Sequence, residues 1–142
     1  MSRMAKGALA LALAVSGPAY GQMAYHAIDA SDGEPLPDLI YEGDYGDQVV
    51  WAFADGSARF YIQQMAGVNS GRSFYQGWFV IYDADSDDPA CPTGYATDHQ
   101  LQQVPHWGNF VIVWPSDAEF VLIPGLCNDP LDTDSAVVGF AQ

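Results

Sequence analysis

Apolar and polar positions alternate with a period of two along much of the chain, most clearly from Val49 to Ile62, VVWAFADGSARFYI. Asp55-Gly56 between two apolar runs predicts a β-hairpin closed by a two-residue loop, since such loops need positive φ, which Gly and Asp tolerate. The loop sets the register, pairing Val49 with Ile62, Val50 with Tyr61, Trp51 with Phe60, Ala52 with Arg59, Phe53 with Ala58 and Ala54 with Ser57. Successive strand side chains point to opposite faces. One face then carries Val49, Trp51, Phe53, Ala58, Phe60 and Ile62, is wholly apolar, and is assigned to the core. The other carries Val50, Ala52, Ala54, Ser57, Arg59 and Tyr61, which places Arg59 on the outer face as a solvated cation flanked by Tyr61.

The same reading continues downstream. Ser73 to Tyr82, SFYQGWFVIY, follows a turn-like Asn69-Ser70-Gly71 and is rich in aromatic and β-branched residues on both faces, which predicts a long strand covered on both sides. Asn109 to Trp114 and Glu119 to Ile123 predict a second hairpin turning at Pro115-Ser116-Asp117. Tyr25 to Ile28 and Ala136 to Phe140 read as the first and last strands. Thr97 to Val104 fits either one or two helical turns or a polar edge strand, because eight residues do not resolve the period. Glu34 to Pro37 reads as a proline-rich linker, and Glu42 falls in turn-like sequence. Short strands separated by Gly, Pro and Asp turns indicate an all-β fold, a small antiparallel sandwich or barrel with at most one short helix.

The first residues change the picture of where the domain begins. Arg3 and Lys6 precede an apolar run from Ala8 to Val15 and a Gly17-Pro18 break, the layout of a secretory signal peptide, and Ala19-Tyr20-Gly21 offers a cleavage site before Gln22. The expected organisation is a leader over 1–21 and a single secreted or periplasmic domain over 22–142. Cleavage takes two of the four basic residues and none of the 18 acidic ones, moving the formal net charge from −14 to −16. Only Arg59 and Arg72 then remain as strong bases. Such a field repels nucleic acid and anionic membranes and favours cationic partners. Two cysteines, Cys91 and Cys127, predict one disulfide in an oxidising compartment. Closing that loop stabilises by roughly 4 kcal/mol in the chain-entropy model.

Candidate chemistry is sparse. His26, His99 and His106 have no spacing that presets a metal site, and no serine-nucleophile elbow is present. No catalytic residue is assigned. Asp83-Ala84-Asp85-Ser86-Asp87-Asp88 gathers alternate aspartates as hard-cation loops do, but Asp88 stands at the sixth position and Gly94 at the twelfth, so it is not an EF-hand. A second cluster, Asp129, Asp132 and Asp134, follows Cys127. The disulfide would draw both clusters to one corner, where they are candidate ligands of calcium, the one cofactor the sequence suggests. Trp107, in a Pro-His-Trp-Gly loop, with His106, Arg59 and Tyr61, are the candidate ligand-binding side chains. The resulting expectation is a non-catalytic acidic β domain that binds a protein or small ligand through its loops. A small secreted hydrolase using His106 or a loop carboxylate, and a calcium-dependent carbohydrate-binding module, are the alternatives.

Overall fold

The computed structural model describes residues 24–65 and 74–142. Its strands are β1 (Ala24–Asp29), β2 (Pro35–Tyr45), β3 (Gln48–Phe53), β4 (Ala58–Ile62), β5 (Phe74–Ile81), the two-residue β6 (Ala96–Thr97) and β7 (Gln103–Val104), β8 (Trp107–Ser116), β9 (Glu119–Leu126) and β10 (Val137–Ala141). Eight of them, all but β6 and β7, pair antiparallel in chain order, and β10 closes on β1. Of the two all-β architectures the sequence allows, the chain adopts the up-and-down barrel. Closure leaves no unpaired edge in that sheet.

The Val49–Ile62 hairpin forms in the expected register, with Val49 opposite Ile62, Val50 opposite Tyr61, Trp51 opposite Phe60 and Ala52 opposite Arg59. Its turn is wider than the two-residue loop expected. The Gly56 N–H donates to the Phe53 carbonyl, Gly56 alone takes positive φ (78°), and the Asp55 carboxylate accepts the Ser57 N–H at 3.0 Å. The longer turn keeps the register because it adds residues symmetrically. In the second hairpin the turn lies at Asp117-Ala118 rather than around Pro115, which lies within β8 at a register shift between Val113 and Ser116. A proline is tolerated at such an irregularity because no ladder N–H is required of it.

One expectation fails and one open choice is decided. Glu34 to Pro37 is no linker: β2, at 11 residues, starts at Pro35 and contains Glu42. Pro35 sits at the strand start and a register shift follows between Tyr25 and Ala27 of β1, so the missing N–H groups are accommodated. Thr97 to Val104 makes no helical turn. It forms the β6–β7 hairpin, the strand alternative, with Leu101 at φ 68°, and a 3-10 turn lies at Thr133–Ser135. The expected Asn69-Ser70-Gly71 turn, the leader and its cleavage site lie outside the described residues.

The barrel interior holds Tyr25, Leu39, Trp51, Phe60, Ile62, Tyr75, Phe79, Phe110, Ile112, Phe120 and Leu122. Phenyl rings lie over glycines of the neighbouring strand: Phe110 is opposite Gly77, and Phe120 opposite Gly139. A Cβ at either glycine would collide with its partner ring, so the missing side chain makes the room that the ring fills. Between β5 and β8 the chain makes a long excursion, residues 82–106, across the outside of β3, β4 and β5. Val50, Tyr61, Val80 and Val104 are buried beneath it, with Trp78, Tyr82, Ala96 and Trp107 packed around them. The expected double cover is present for this reason over the second half of β5, at Trp78 and Val80, while Phe74 and Gln76 stay exposed on the outer face. Cys91 in the excursion is bonded to Cys127 after β9, Cα atoms 5.4 Å apart, which fixes the excursion to the end of the barrel.

Candidate functional site

Tyr25, Leu39, Trp51, Phe110, Ile112 and Trp114 fill the middle and one end of the barrel. The other end is open. Here a cavity of about 590 Å³ is lined by Phe53, Ala58, Phe60, Phe79, Ile81, Leu122, Pro124 and Val137, with Leu36 and Leu126 toward its edge. Inward alternation on β3, β4, β5 and β9 supplies the apolar wall. The loop after β9 forms one side, folding back so that the Asp132 N–H donates to the Pro124 carbonyl at 2.7 Å and a Cβ on Gly125 would meet the Asp129 and Pro130 carbonyls.

Four carboxylates line the same cavity: Asp29 at the end of β1, Asp83 at the start of the excursion, and Asp129 and Asp132 in the loop after β9. No basic side chain lines it among the described residues. Asp29 accepts both the N–H and the hydroxyl of Ser31, which hold its carboxyl below the usual value. Asp132 accepts from the Asp134 N–H and the Ser135 hydroxyl. Asp83 and Asp129 make no side-chain hydrogen bond to another described residue. The two acidic clusters therefore meet in part, Asp83 from one and Asp129 and Asp132 from the other. Asp85 and Asp88 instead brace their own loop, Asp88 accepting the Asp85 N–H, while Asp87 stands beside Ser86 and Asp134 lies in the 3-10 turn. Among the described residues no three His, Cys, Asp or Glu side chains are grouped closely enough to hold a metal ion.

A second polar centre lies on the outer face, under the excursion. Arg59 points outward as expected, but it is not solvated. Its side chain is 18% exposed, its Nε donates to Glu42 at 2.9 Å, and its Nη1 donates to Tyr82 Oη at 3.0 Å, Gln100 Oε1 at 3.2 Å and Asp98 Oδ2 at 3.4 Å. The correction concerns cover, not facing: the excursion crosses the outer face and desolvates it. Asp98 is the only fully buried charged residue among those described. Burial pushes its carboxyl up, but the Tyr82 hydroxyl at 2.6 Å, the Gln102 and Gln100 N–H groups and the nearby Arg59 charge outweigh that, and its pKa lies below the usual value. Burial and donation to Asp98 push the Tyr82 phenol well up, with Arg59 opposing.

Tyr61, also outward, is buried and stacked on Trp78 with ring centroids 4.0 Å apart. Its hydroxyl accepts the His99 N–H at 3.1 Å and lies 2.8 Å from His99 Nδ1. A hydroxyl oxygen donates one hydrogen bond and accepts up to two, so the direction of the Tyr61–His99 bond follows the imidazole tautomer. Burial, followed by the Arg59 charge, pushes the His99 pKa down against the pull of Glu42 and Asp98. His106 is elsewhere, its Nε2 3.1 Å from the Asp88 carbonyl, and Trp107 is half-buried with Nε1 donating to the Gly94 carbonyl at 2.8 Å. The four candidate ligand-binding side chains are thus all attached to the excursion, and none lines the barrel cavity. The cavity wall was missed because strand alternation says which residues point inward without saying which end they leave unfilled. Asp98 carried a faint signal, since an aspartate accepting the N–H two residues on is a turn former. Nothing local pointed to Tyr82 and Arg59 as its partners. No protein-family model matches the chain, and no curated protein or solved structure matches it either.

Proposed function

We propose that this protein is a non-catalytic binding domain of the secreted or periplasmic space that takes one small, largely apolar ligand into the open end of its barrel. The observation that carries this reading is the cavity of about 590 Å³ whose lining is mostly phenylalanine and aliphatic side chains, with a few polar ones. Eight-stranded barrels have an interior just wide enough to be filled by side chains or to hold one small ligand, and small-molecule sites are concave, mostly apolar and a few hundred Å³ in volume. This barrel does the first over most of its length and leaves room for the second at one end. The groups with shifted acidities outside exposed turns, Arg59, Tyr61, Tyr82, Asp98 and His99, belong to the outer network, where they are bonded to one another. The disulfide and the leader-like first residues support export.

Titration with N-phenylnaphthylamine, a neutral apolar dye that brightens in apolar surroundings, tests the reading. The protein should bind one equivalent. Ala58→Phe, which fills the cavity from its wall, should weaken binding at least about tenfold while the fold persists by circular dichroism. Undetectable binding by the unmodified protein, or equal binding by a folded Ala58→Phe variant, would refute it.

A further inference from the structure

We infer that the ligand of the barrel mouth is an organic cation, a small molecule with an apolar body that lies against Phe53, Phe60 and Phe79 and an ammonium group held at the carboxylate rim. The inference rests on the binding reading above and adds the charge of the ligand. Two independent features of the cavity argue for it.

The first is the imbalance of charge at the mouth. Asp29, Asp83, Asp129 and Asp132 converge on it from three separate segments of the chain, with no basic lining residue among those described. Like charges brought together cost free energy unless a counter-charge joins them, and the field of such a rim, shaped by an apolar wall, concentrates cations at the opening. An anionic amphiphile entering the cavity would bring its head group against this rim. A neutral one would leave the repulsion as it is, whereas an ammonium discharges it. Asp83 and Asp129 retain the acceptor capacity to do so, as neither spends its carboxylate on another described residue.

The second is the composition of the wall. Phe60 lies against Phe53 edge-on at 5.2 Å between centroids and against Phe79 at 5.8 Å in a stacked arrangement, so three phenyl rings border one space. Ring faces accept an alkyl chain and do not oppose a cation at the edge of the wall, so the wall holds the apolar body while the rim supplies the counter-charge. The orientation of the ligand follows from desolvation. A charged head is costly to bury unpaired, so the alkyl body goes inward and the ammonium stays at the rim.

The test compares three probes with the same decyl chain, decyltrimethylammonium, decanol and decyl sulfate, each below its micelle concentration, by calorimetry at low ionic strength. The cation should bind at least about tenfold tighter than decanol, and decyl sulfate weakest. Raising the ionic strength to about 0.5 M should shrink the gap, because salt screens the rim and not the wall. The double variant Asp83→Asn/Asp129→Asn should close most of the gap and leave decanol affinity unchanged. Equal affinity for the cation and decanol, tighter binding of decyl sulfate, or a gap that persists in the double variant would overturn the cation assignment and leave apolar binding standing. Failure of all three probes to bind would overturn both.

Discussion

The two faces of the β3–β4 hairpin are both removed from water, and by opposite means. The inner face is buried by filling: Val49, Trp51, Phe60 and Ile62 need only apolar neighbours of adequate volume. The outer face is buried by pairing, for Arg59 and its neighbours are covered by the excursion only because Glu42, Tyr82, Asp98 and Gln100 meet the guanidinium there. Apolar burial is non-directional and stabilises roughly in proportion to area, whereas a buried charge must find each of its partners. The inner face can therefore leave a void at one end and still fold. The space left on the outer face, about 340 Å³, is bordered instead by polar groups, among them Glu42, Arg59, Tyr82, Gln100 and Gln102. The apolar cavity lies on the inner face, where packing is non-directional.

The comparison can be broken most directly on the inner face. Trp51, 1% exposed and in contact with the rings of Tyr25 and Tyr41, should cost about 3–5 kcal/mol on truncation to alanine, measured by denaturant unfolding. A loss under about 1 kcal/mol would show that this end of the barrel is loosely filled, as the open end is.

The outer face should respond to which partner is removed. Asp98→Ala strips the acceptor from the Tyr82 hydroxyl and the Gln100 and Gln102 N–H groups, and should cost about 3 kcal/mol. Arg59→Met leaves Asp98 its three neutral donors and keeps the alkyl stem, and should cost about 2 kcal/mol. The two losses should not add, the double variant falling short of their sum by about 1 kcal/mol or more, because both changes break one network. A loss under about 0.5 kcal/mol for Arg59→Met, the value for an ordinary surface substitution, would mean the pairing contributes nothing.

The smallest effect expected is one of pH. Burial, followed by the Arg59 charge, puts the folded pKa of His99 below the 6.5 of the unfolded chain. The unfolded state then binds more protons in the window below 6.5, and the stability His99 contributes is complete above that pH and is lost as pH falls through the folded pKa. The His99→Gln variant should lose less stability than the unmodified protein between pH 7 and about pH 5, by less than about 1 kcal/mol. An identical pH profile in the two proteins would place the protonation of His99 outside the folding equilibrium.

What the sequence by itself determined is local or periodic. The register from Val49 to Ile62 is set by alternation, and it survives although the Asp55-Gly56 turn is of another kind, because exchanging the apolar and polar faces would cost far more than re-forming a turn. The pairing of Cys91 with Cys127 follows from there being two cysteines. Which residues face inward was also legible. The tertiary structure alone decided what covers each face and where the filling stops. Arg59 and Asp98 are 39 residues apart and meet because the excursion crosses β4. Asp83, Asp129 and Asp132 share a cavity because the Cys91–Cys127 bond and the fold-back onto Pro124 bring two loops to one end of the barrel. β2 was hidden because Pro35 and Pro37 read as breakers, and only the register shift against β1 shows how a strand accommodates them. Periodicity reports the direction of each side chain within its own strand, and contacts between distant segments are settled by closure of the whole sheet.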